Sequence, residues 1–108
     1  MTLYLYQGAY TPESWAAQLA DPQNRVETVG KAVCESVGGK LVGAWLSFGE
    51  FDIALIMDVP DNVSMASVGM AVAAGGAMKS GRTTVLMSGE DGVAAMRKAS
   101  SVTYKPKK

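Results

Sequence analysis

Side chains alternate with a period of two over the first ten residues, a pattern that is typical of a β-strand. Leu3 and Leu5 fall on one face of this segment. The opposite face carries aromatic side chains, those of Tyr4, Tyr6 and Tyr10. The pattern predicts a strand over residues 3–10 with an aliphatic face and a tyrosine face.

Residues 11–20 contain the signals of a short helix. Thr11 is of the type preferred at an N-cap, and Pro12 suits the first helical position because its missing N–H is not needed there. Trp15 and Leu19 are spaced by one helical turn. We therefore expect both side chains to face inward.

A second helix is predicted over residues 22–37, with Asp21 as its N-cap. Gly38 follows the helix and suits the left-handed conformation that often ends one. Cys34 flanks the apolar side of this helix. A buried cysteine behaves as a small apolar residue, so we interpret Cys34 as structural. The apolar side itself is a stripe of valines: Val26, Val29, Val33 and Val37.

Two apolar runs, at residues 41–48 and 53–59, are joined by a short segment that contains glycine. This arrangement predicts an antiparallel hairpin. Pro60 is expected to end its second strand. Alternation places Trp45 on the same face of the first strand as Leu41. The second strand is apolar on both faces: Phe51, Ile53, Leu55 and Met57 lie on one, and Ala54 and Ile56 on the other.

Asp61 is the predicted N-cap of a third helix over residues 62–78, which contains no charged residue. A surface helix normally has a charged face, so we interpret this one as a subunit contact. The alternative is a mobile helix weakened by its glycines. A fourth strand over residues 81–88 and a short helix over residues 93–99 follow, and residues 100–108 form a basic tail.

The order of these elements predicts an α+β fold in one domain, residues 1–99, with the ferredoxin-like βαββαβ topology and an antiparallel sheet of order 4-1-3-2. Helices cover only one face of such a sheet, yet its strands are apolar on both. A second copy of the chain is the simplest cover. We expect a homodimer, a dimeric α/β-barrel, formed through the face with Tyr4, Tyr6, Ala54 and Ile56.

Composition narrows the possible functions. The formal net charge is zero and the only basic cluster lies in the tail, so no nucleic acid partner is expected. The chain has no histidine and one cysteine, which excludes histidine-based triads and the usual zinc and haem sites. No cofactor or metal is therefore expected. Neither a signal-peptide pattern nor a transmembrane run is present, which predicts a cytoplasmic protein without a membrane partner.

The predicted sheet brings three side chains to one of its ends. There the end of the first strand meets the starts of the third and fourth, so Tyr10, Asp52 and Arg82 are expected to lie together. An arginine beside an aspartate binds a carboxylate or an enolate. The alternative, which we favour, is a structural brace, because aspartate in such turns often accepts backbone N–H bonds.

A second candidate site is an apolar cavity between the helices and the sheet, lined by aromatic side chains with polar tips. Plain core packing is the alternative interpretation of these aromatic residues. No catalytic residue is assigned. Together the two candidates give a set of predicted ligand-binding residues: Tyr6, Tyr10, Trp15, Trp45, Asp52, Arg82 and Thr84.

Three short motifs between Leu3 and Gly89 resemble the GYD domain family. They are Gly38-Gly39-Lys40-Leu41, Gly49-Glu50-Phe51-Asp52 and Arg82-Thr83-Thr84. Phe51 stands where the family name has tyrosine, so no role for a hydroxyl follows at that position. The family is similar to the dimeric α/β-barrel group, which includes cofactor-free monooxygenases, isomerases and small stress proteins. The resemblance implies the fold and a homodimer, but no particular substrate.

Two hypotheses for the function follow. In the first, a small homo-oligomeric α/β-barrel protein binds a small apolar or carboxylate-bearing molecule between helices and sheet, as a binder or a cofactor-free enzyme. In the second, the protein acts by assembly, through the sheet face and the uncharged helix 62–78, without catalysis. A bound ligand near Tyr10, Asp52 and Arg82 would favour the first, and a closed, side-chain-filled interior with large interfaces would favour the second.

Overall fold

The computed structural model of the chain describes residues 1–107 and contains, over these residues, one four-stranded antiparallel sheet and four helices. The strands are β1 (Thr2–Tyr10), β2 (Lys40–Leu46), β3 (Ile53–Val59) and β4 (Met78–Val85). The helices are α1 (Pro12–Ala20), α2 (Arg25–Ser36), α3 (Asn62–Ala74) and α4 (Gly89–Ala99). The sheet order is β2-β3-β1-β4, which is the predicted order read from the other edge. The ferredoxin-like fold is therefore confirmed.

Two of the predicted N-caps are confirmed by their hydrogen bonds. Thr11 Oγ1 accepts a bond from the backbone N–H of Ser14 at 3.1 Å, and Asp61 Oδ1 accepts one from the N–H of Ser64 at 2.8 Å. The bond from the Ser64 backbone, helped by the Ser64 side chain, lowers the pKa of Asp61 below its usual value. Each cap satisfies a backbone donor that the first helical turn leaves free.

The predicted start of α2 is wrong. Asn24 is its N-cap instead of Asp21, and the helix begins at Arg25. Asn24 Oδ1 accepts a bond from the N–H of Glu27 at 3.4 Å, while Asn24 Nδ2 donates to the Glu27 carboxylate at 3.0 Å. This pair of bonds ties the cap to the first turn of the helix. Asp21 ends α1 instead, with its N–H donating to the carbonyl of Gln18 at 3.2 Å.

Two of the side chains that were predicted to face inward are instead exposed to solvent. Leu19 is 74% exposed and Val29 is 43% exposed. The buried side of α2 runs through Gly30 and Cys34, which are one turn apart. Val29 precedes Gly30 by one position, about 100° around the helix, so it lies at the margin of the contact with the sheet.

The tyrosine face of β1 packs beneath the helices. Tyr4 pairs with Met57 and Tyr6 with Leu55 across the β1–β3 ladder, and directly paired residues point to the same side of a sheet. All four side chains are buried. The Tyr4 hydroxyl also donates a hydrogen bond to Asn62 Oδ1 at 2.6 Å, which ties β1 to the start of α3.

The opposite side of the sheet has no helix over it, and we call it the open face. Ala54 and Ile56 lie on this face, paired with Gln7 and Leu5 of β1. The predicted dimer face, which grouped both residues with Tyr4 and Tyr6, is therefore wrong. Alternation within β1 and β3 was predicted correctly, but alternation does not determine the register between two strands.

A β-bulge in β2 moves Trp45 to the open face. Leu41 pairs on the helix side of the sheet, Val42 is an extra residue, and pairing resumes at Gly43. The extra residue reverses the alternation along the rest of the strand. Trp45 consequently pairs with Ala54, and the prediction that it shares a face with Leu41 is wrong.

Helix α3 ends earlier than predicted, at Ala74 instead of residue 78. Gly76 adopts φ +77°, a left-handed conformation that ends the helix and turns the chain. β4 therefore begins at Met78, before the predicted start at Gly81.

Helix α4 also begins earlier than predicted, at Gly89, with Ser88 as its N-cap. It makes no extensive packing contact with any other element of residues 1–107. The radius of gyration is 17.0 Å, against about 13 Å for a compact chain of this length. The molecule is elongated, with extents of 56 × 35 × 23 Å.

The predicted basic tail follows α4. No strand forms over residues 100–107, and Lys108 lies outside the described residues. Among residues 1–107, no helix combines the length and the apolar character needed to cross a membrane.

Candidate functional site

A cavity lies beneath the helices because α2 and α3 cover different parts of the sheet. α2 packs on β2 and β3, whereas α3 packs mainly on β4. The close seat of α2 depends on Gly30, where a Cβ atom would lie 2.6 Å from Leu55 Cδ2. The gap between the two helices has β1 and β3 as its floor.

The lining of this cavity is mainly apolar. The sheet contributes Tyr6, Ile53, Leu55 and Met57. The helices contribute Val26, Val29, Gly30 and Val33 from α2, and Val68 and Val72 from α3. The remaining lining residues come from the end of β1, from α1, from the start of α2, from the turn after α3 and from the start of β4: Tyr10, Ser14, Arg25, Gly75, Ala77 and Met78.

The volume of the cavity is about 210 Å³. An apolar cavity of roughly 150 Å³ is large enough to bind benzene. The cavity opens to solvent beside Arg25, Val29 and Ala77, whose exposure marks its mouth. A molecule the size of one aromatic ring with a short substituent fits this space.

The lining includes two tyrosine side chains, Tyr6 and Tyr10. Burial raises the pKa of Tyr6, and the neighbouring Tyr10 acts in the same direction. Burial also raises the pKa of Tyr10; the charge of Arg25 opposes this, Asp52 reinforces it, and a hydrogen bond with Gln18 opposes it. Both phenols are therefore neutral at neutral pH. They suit hydrogen bonding to a ligand better than proton abstraction from one.

Asp52 joins three parts of the chain behind the mouth of the cavity. Its Oδ2 accepts a hydrogen bond from the backbone N–H of Tyr10 at 2.8 Å and one from the indole Nε1 of Trp15 at 3.2 Å. The Asp52 N–H donates to the carbonyl of Gly8 at 2.8 Å. The rings of Tyr10 and Trp15 meet edge to face, 5.2 Å apart. Asp52 thus braces the hairpin, β1 and α1 against one another.

Arg82 lies at the same end of the sheet as Asp52, as predicted, but on the open face. It pairs with Gln7 in the β1–β4 ladder. The Arg82 guanidinium lies 5.3 Å from the centre of the Phe51 ring and 4.0 Å from the Glu50 carboxylate. The expected pairing of Arg82 with Asp52 is therefore wrong, because the sheet separates the two side chains.

The structure divides the predicted ligand-binding residues into three groups. Tyr6 and Tyr10 line the cavity. Trp15 and Asp52 lie outside its lining and hold Tyr10 in place. The others lie on the open face, outside the cavity: Trp45, Arg82 and Thr84.

Sequence reasoning missed Arg25 and the contribution of α3 to the cavity. Arg25 directly precedes the valine stripe, but a helix predicted to start at Pro22 gave no reason to place its guanidinium at an opening. Val68 and Val72 are one turn apart in an uncharged helix, a signal that was interpreted as a subunit contact.

Cys34 is not part of the site. Its side chain is 0% exposed in the core beneath α2. Burial raises the pKa of the Cys34 thiol, and the negative charge of Glu35 acts in the same direction. A neutral, buried thiol is a poor nucleophile, which agrees with a structural role.

The sequence was compared with known proteins and families. A family model described as GYD domain matches residues 4–96. These residues include the greater part of β1, all of β2 to β4 and of α1 to α3, and the greater part of α4. No curated protein matches the sequence significantly.

Proposed function

This chain belongs to the GYD domain family, and from that starting point we propose that it binds a small molecule in the cavity between its helices and its sheet. The observation that supports the proposal is an open space of about 210 Å³ with a mainly apolar lining. Small-molecule sites are typically concave and apolar, with a few polar groups that orient the ligand. The Tyr10 hydroxyl is such a group in this proposal.

The size and lining of the cavity define the class of ligand. The valines of α2 and α3 and the buried residues of β3 favour an apolar body, because each Å² of apolar surface removed from water contributes about 25 cal/mol. A single aromatic ring or a short branched chain has the right dimensions. The polar end of such a ligand lies at the mouth, beside Tyr10.

Filling the cavity tests the proposal. Chemical shifts of the backbone amides are followed by NMR while indole or 4-methylphenol is added to the protein. We expect shifts at Val33, Ile53 and Val68, and we expect Val72→Phe to weaken binding strongly because the larger ring occupies the cavity.

The matched control is Val63→Phe in the same helix. Val63 is 81% exposed, so the same substitution there leaves the cavity unchanged and probe binding intact. If neither probe shifts the cavity residues of the wild-type protein, or if both variants bind equally well, small-molecule binding in this cavity is contradicted.

A second proposed function is assembly as a homodimer, favoured by the apolar open face. Leu3 is 42% and Trp45 56% exposed on this face, and Leu5 and Ile56 are only half-buried. A second copy of the chain would cover this face with an identical one, as isologous dimers do.

In this proposal the open face supplies only part of the dimer interface. Four strands spaced about 4.8 Å apart and about seven residues long give a face of roughly 450 Å², or about 900 Å² for two copies. Stable interfaces begin near 1,200 Å². Helix α4 supplies the remainder in this proposal, since its Met96 is 72% and its Val93 43% exposed within residues 1–107.

A further inference from the structure

The charge at the mouth of the cavity comes from one residue. Among the lining residues in the described part of the chain, Arg25 is the only one with a charged side chain. It occupies the first position of α2, where the positive end of the helix dipole adds potential of the same sign. The lining contributes no carboxylate to offset it. The one charge that the described lining carries is therefore positive.

The Arg25 guanidinium has no neutralising partner among residues 1–107. The ion pair found in this part of the chain, between Arg82 and Glu50, lies on the open face. Asp21 borders a neighbouring cleft with Arg25, but its carboxylate accepts a hydrogen bond from Gln23 Nε2 at 2.7 Å and makes no ion pair with the arginine. An unpaired arginine at the opening of an apolar cavity is available to a ligand.

The phenol of Tyr10 complements Arg25. Both residues line the cavity, and the charge of Arg25 acts on the Tyr10 hydroxyl strongly enough to oppose the effect of burial on the pKa of that phenol. A neutral phenol donates a hydrogen bond to an anionic oxygen. Tyr10 is also held in position, because Asp52 accepts a hydrogen bond from its backbone N–H.

We infer that the ligand of this cavity is a small carboxylate, whose apolar body lies among Val33, Ile53 and Val68 and whose carboxylate binds Arg25 and the Tyr10 hydroxyl. This inference rests on the proposed small-molecule function and specifies its ligand class. The planar guanidinium matches the geometry of a carboxylate, which it binds with two parallel hydrogen bonds. Arg25 is the residue that determines this specificity.

Matched pairs of probes test the inference. Benzoate and benzamide have nearly the same shape but differ in charge, as do phenylacetate and phenylacetamide. Isothermal titration calorimetry at pH 7 gives the affinity of each. Since Arg25 is exposed and partly screened by water, we expect the wild-type protein to prefer the carboxylates about tenfold, with the preference declining as salt is added.

Variants assign the preference to a residue. Arg25→Gln should remove the preference for the carboxylates and leave the affinity for the amides unchanged, because the apolar part of the cavity is intact. Arg25→Lys should retain part of the preference, since the charge remains without the planar fork. Arg82→Gln, on the open face, is the matched control and should behave as the wild type. Circular dichroism confirms that each variant is folded.

The outcomes separate the inference from the function on which it rests. If carboxylates and amides bind the wild type equally well, the inference is wrong and the small-molecule function stands. If the preference persists in Arg25→Gln, Arg25 does not determine it and the assignment is overturned. If none of the four probes binds, the proposed function fails together with the inference.

Discussion

At the scale of single residues, Asp52 shows how one side chain organises the end of the sheet. It accepts two hydrogen bonds from groups that are far from it in sequence, the backbone N–H of Tyr10 and the indole of Trp15. Without Asp52, both donors would lack this acceptor in a partly buried region. The brace that we favoured from the sequence therefore exists, but its partners are Tyr10 and Trp15 instead of Arg82.

Substitution of Asp52 and Arg82 tests this assignment. Asp52→Ala should lower the free energy of unfolding by about 1–3 kcal/mol, because two donors lose their acceptor. Asp52→Asn should cost less, since its amide oxygen still accepts one bond. Arg82→Gln should change stability by less than about 0.5 kcal/mol, because its contacts are exposed. Urea denaturation measures each effect.

The double variant Asp52→Ala with Arg82→Gln provides the decisive comparison. The two side chains share no contact and lie on opposite faces of the sheet, so their effects should add to within about 0.5 kcal/mol. A clear departure from additivity would mean that the two residues are coupled after all.

At the scale of elements, α3 combines a cavity wall with an unpartnered outer surface. Val68 lines the cavity, whereas Val63 is 81% and Met70 72% exposed on the same helix. Gly69 lies in the interior of this helix, and a Cβ atom there would meet nothing within 4 Å. Glycine at such a position weakens a helix, and no packing contact within residues 1–107 requires it there.

Gly69→Ala should therefore raise the free energy of unfolding by about 0.5–1 kcal/mol. Thermal denaturation followed by circular dichroism measures the change, and Gly92→Ala in α4, where a Cβ is also unobstructed, is the matched control. A loss of stability at Gly69 alone, larger at higher protein concentration, would show that a second chain packs closely on α3. That result would support the interpretation of α3 as a subunit contact.

The helices, the strands and the strand order were largely predictable from the sequence, but the register between the strands was not. The caps at Thr11 and Asp61 and the alternation of β1 are local signals, and the strand order follows from the handedness of the crossovers. The register that separates Tyr4 from Ile56, and the bulge at Val42 that turns Trp45 over, depend on pairing between strands. No periodicity within one strand contains that information.

The candidate site was predictable in kind but only partly in composition. A cavity between helices and sheet was expected, and Tyr6 and Tyr10 were among the residues named. Arg25 was missed because its position depends on the true start of α2, which the bonds between Asn24 and Glu27 determine. An error of a few residues in the predicted start of α2 was therefore enough to leave Arg25 out of the predicted site.

At the scale of the whole molecule, the elongated shape is the main departure from a compact domain. Helix α4 projects without extensive contact to the rest of residues 1–107, and the apolar open face also lacks a cover. In the proposed dimer, the two open faces meet and each α4 packs on the other protomer. This arrangement would bury the open face and the apolar residues of α4 together.

Polar substitutions on α4 test this arrangement. Val93→Ser combined with Met96→Ser should shift the monomer–dimer equilibrium toward the monomer, because the apolar contact is lost, while the fold of each protomer is retained. Sedimentation velocity over a range of protein concentrations measures the shift. Val63→Ser combined with Met70→Ser removes the same residue types from the outer surface of α3 and should leave the equilibrium unchanged. A wild-type protein that sediments as a folded monomer at micromolar concentration would refute the dimer.

The placement of the two tryptophans gives this molecule two separate optical reporters. Trp15 lies against Tyr10 and the Asp52 carboxylate, behind the cavity mouth, whereas Trp45 lies on the open face. With Trp45→Phe, the remaining indole emission responds to events at the cavity. With Trp15→Phe, the emission comes from Trp45 and responds to association of a second chain with the open face. We expect a blue shift, because Trp45 then loses contact with water. Fluorescence can therefore distinguish occupation of the cavity from association of two chains in the same solution.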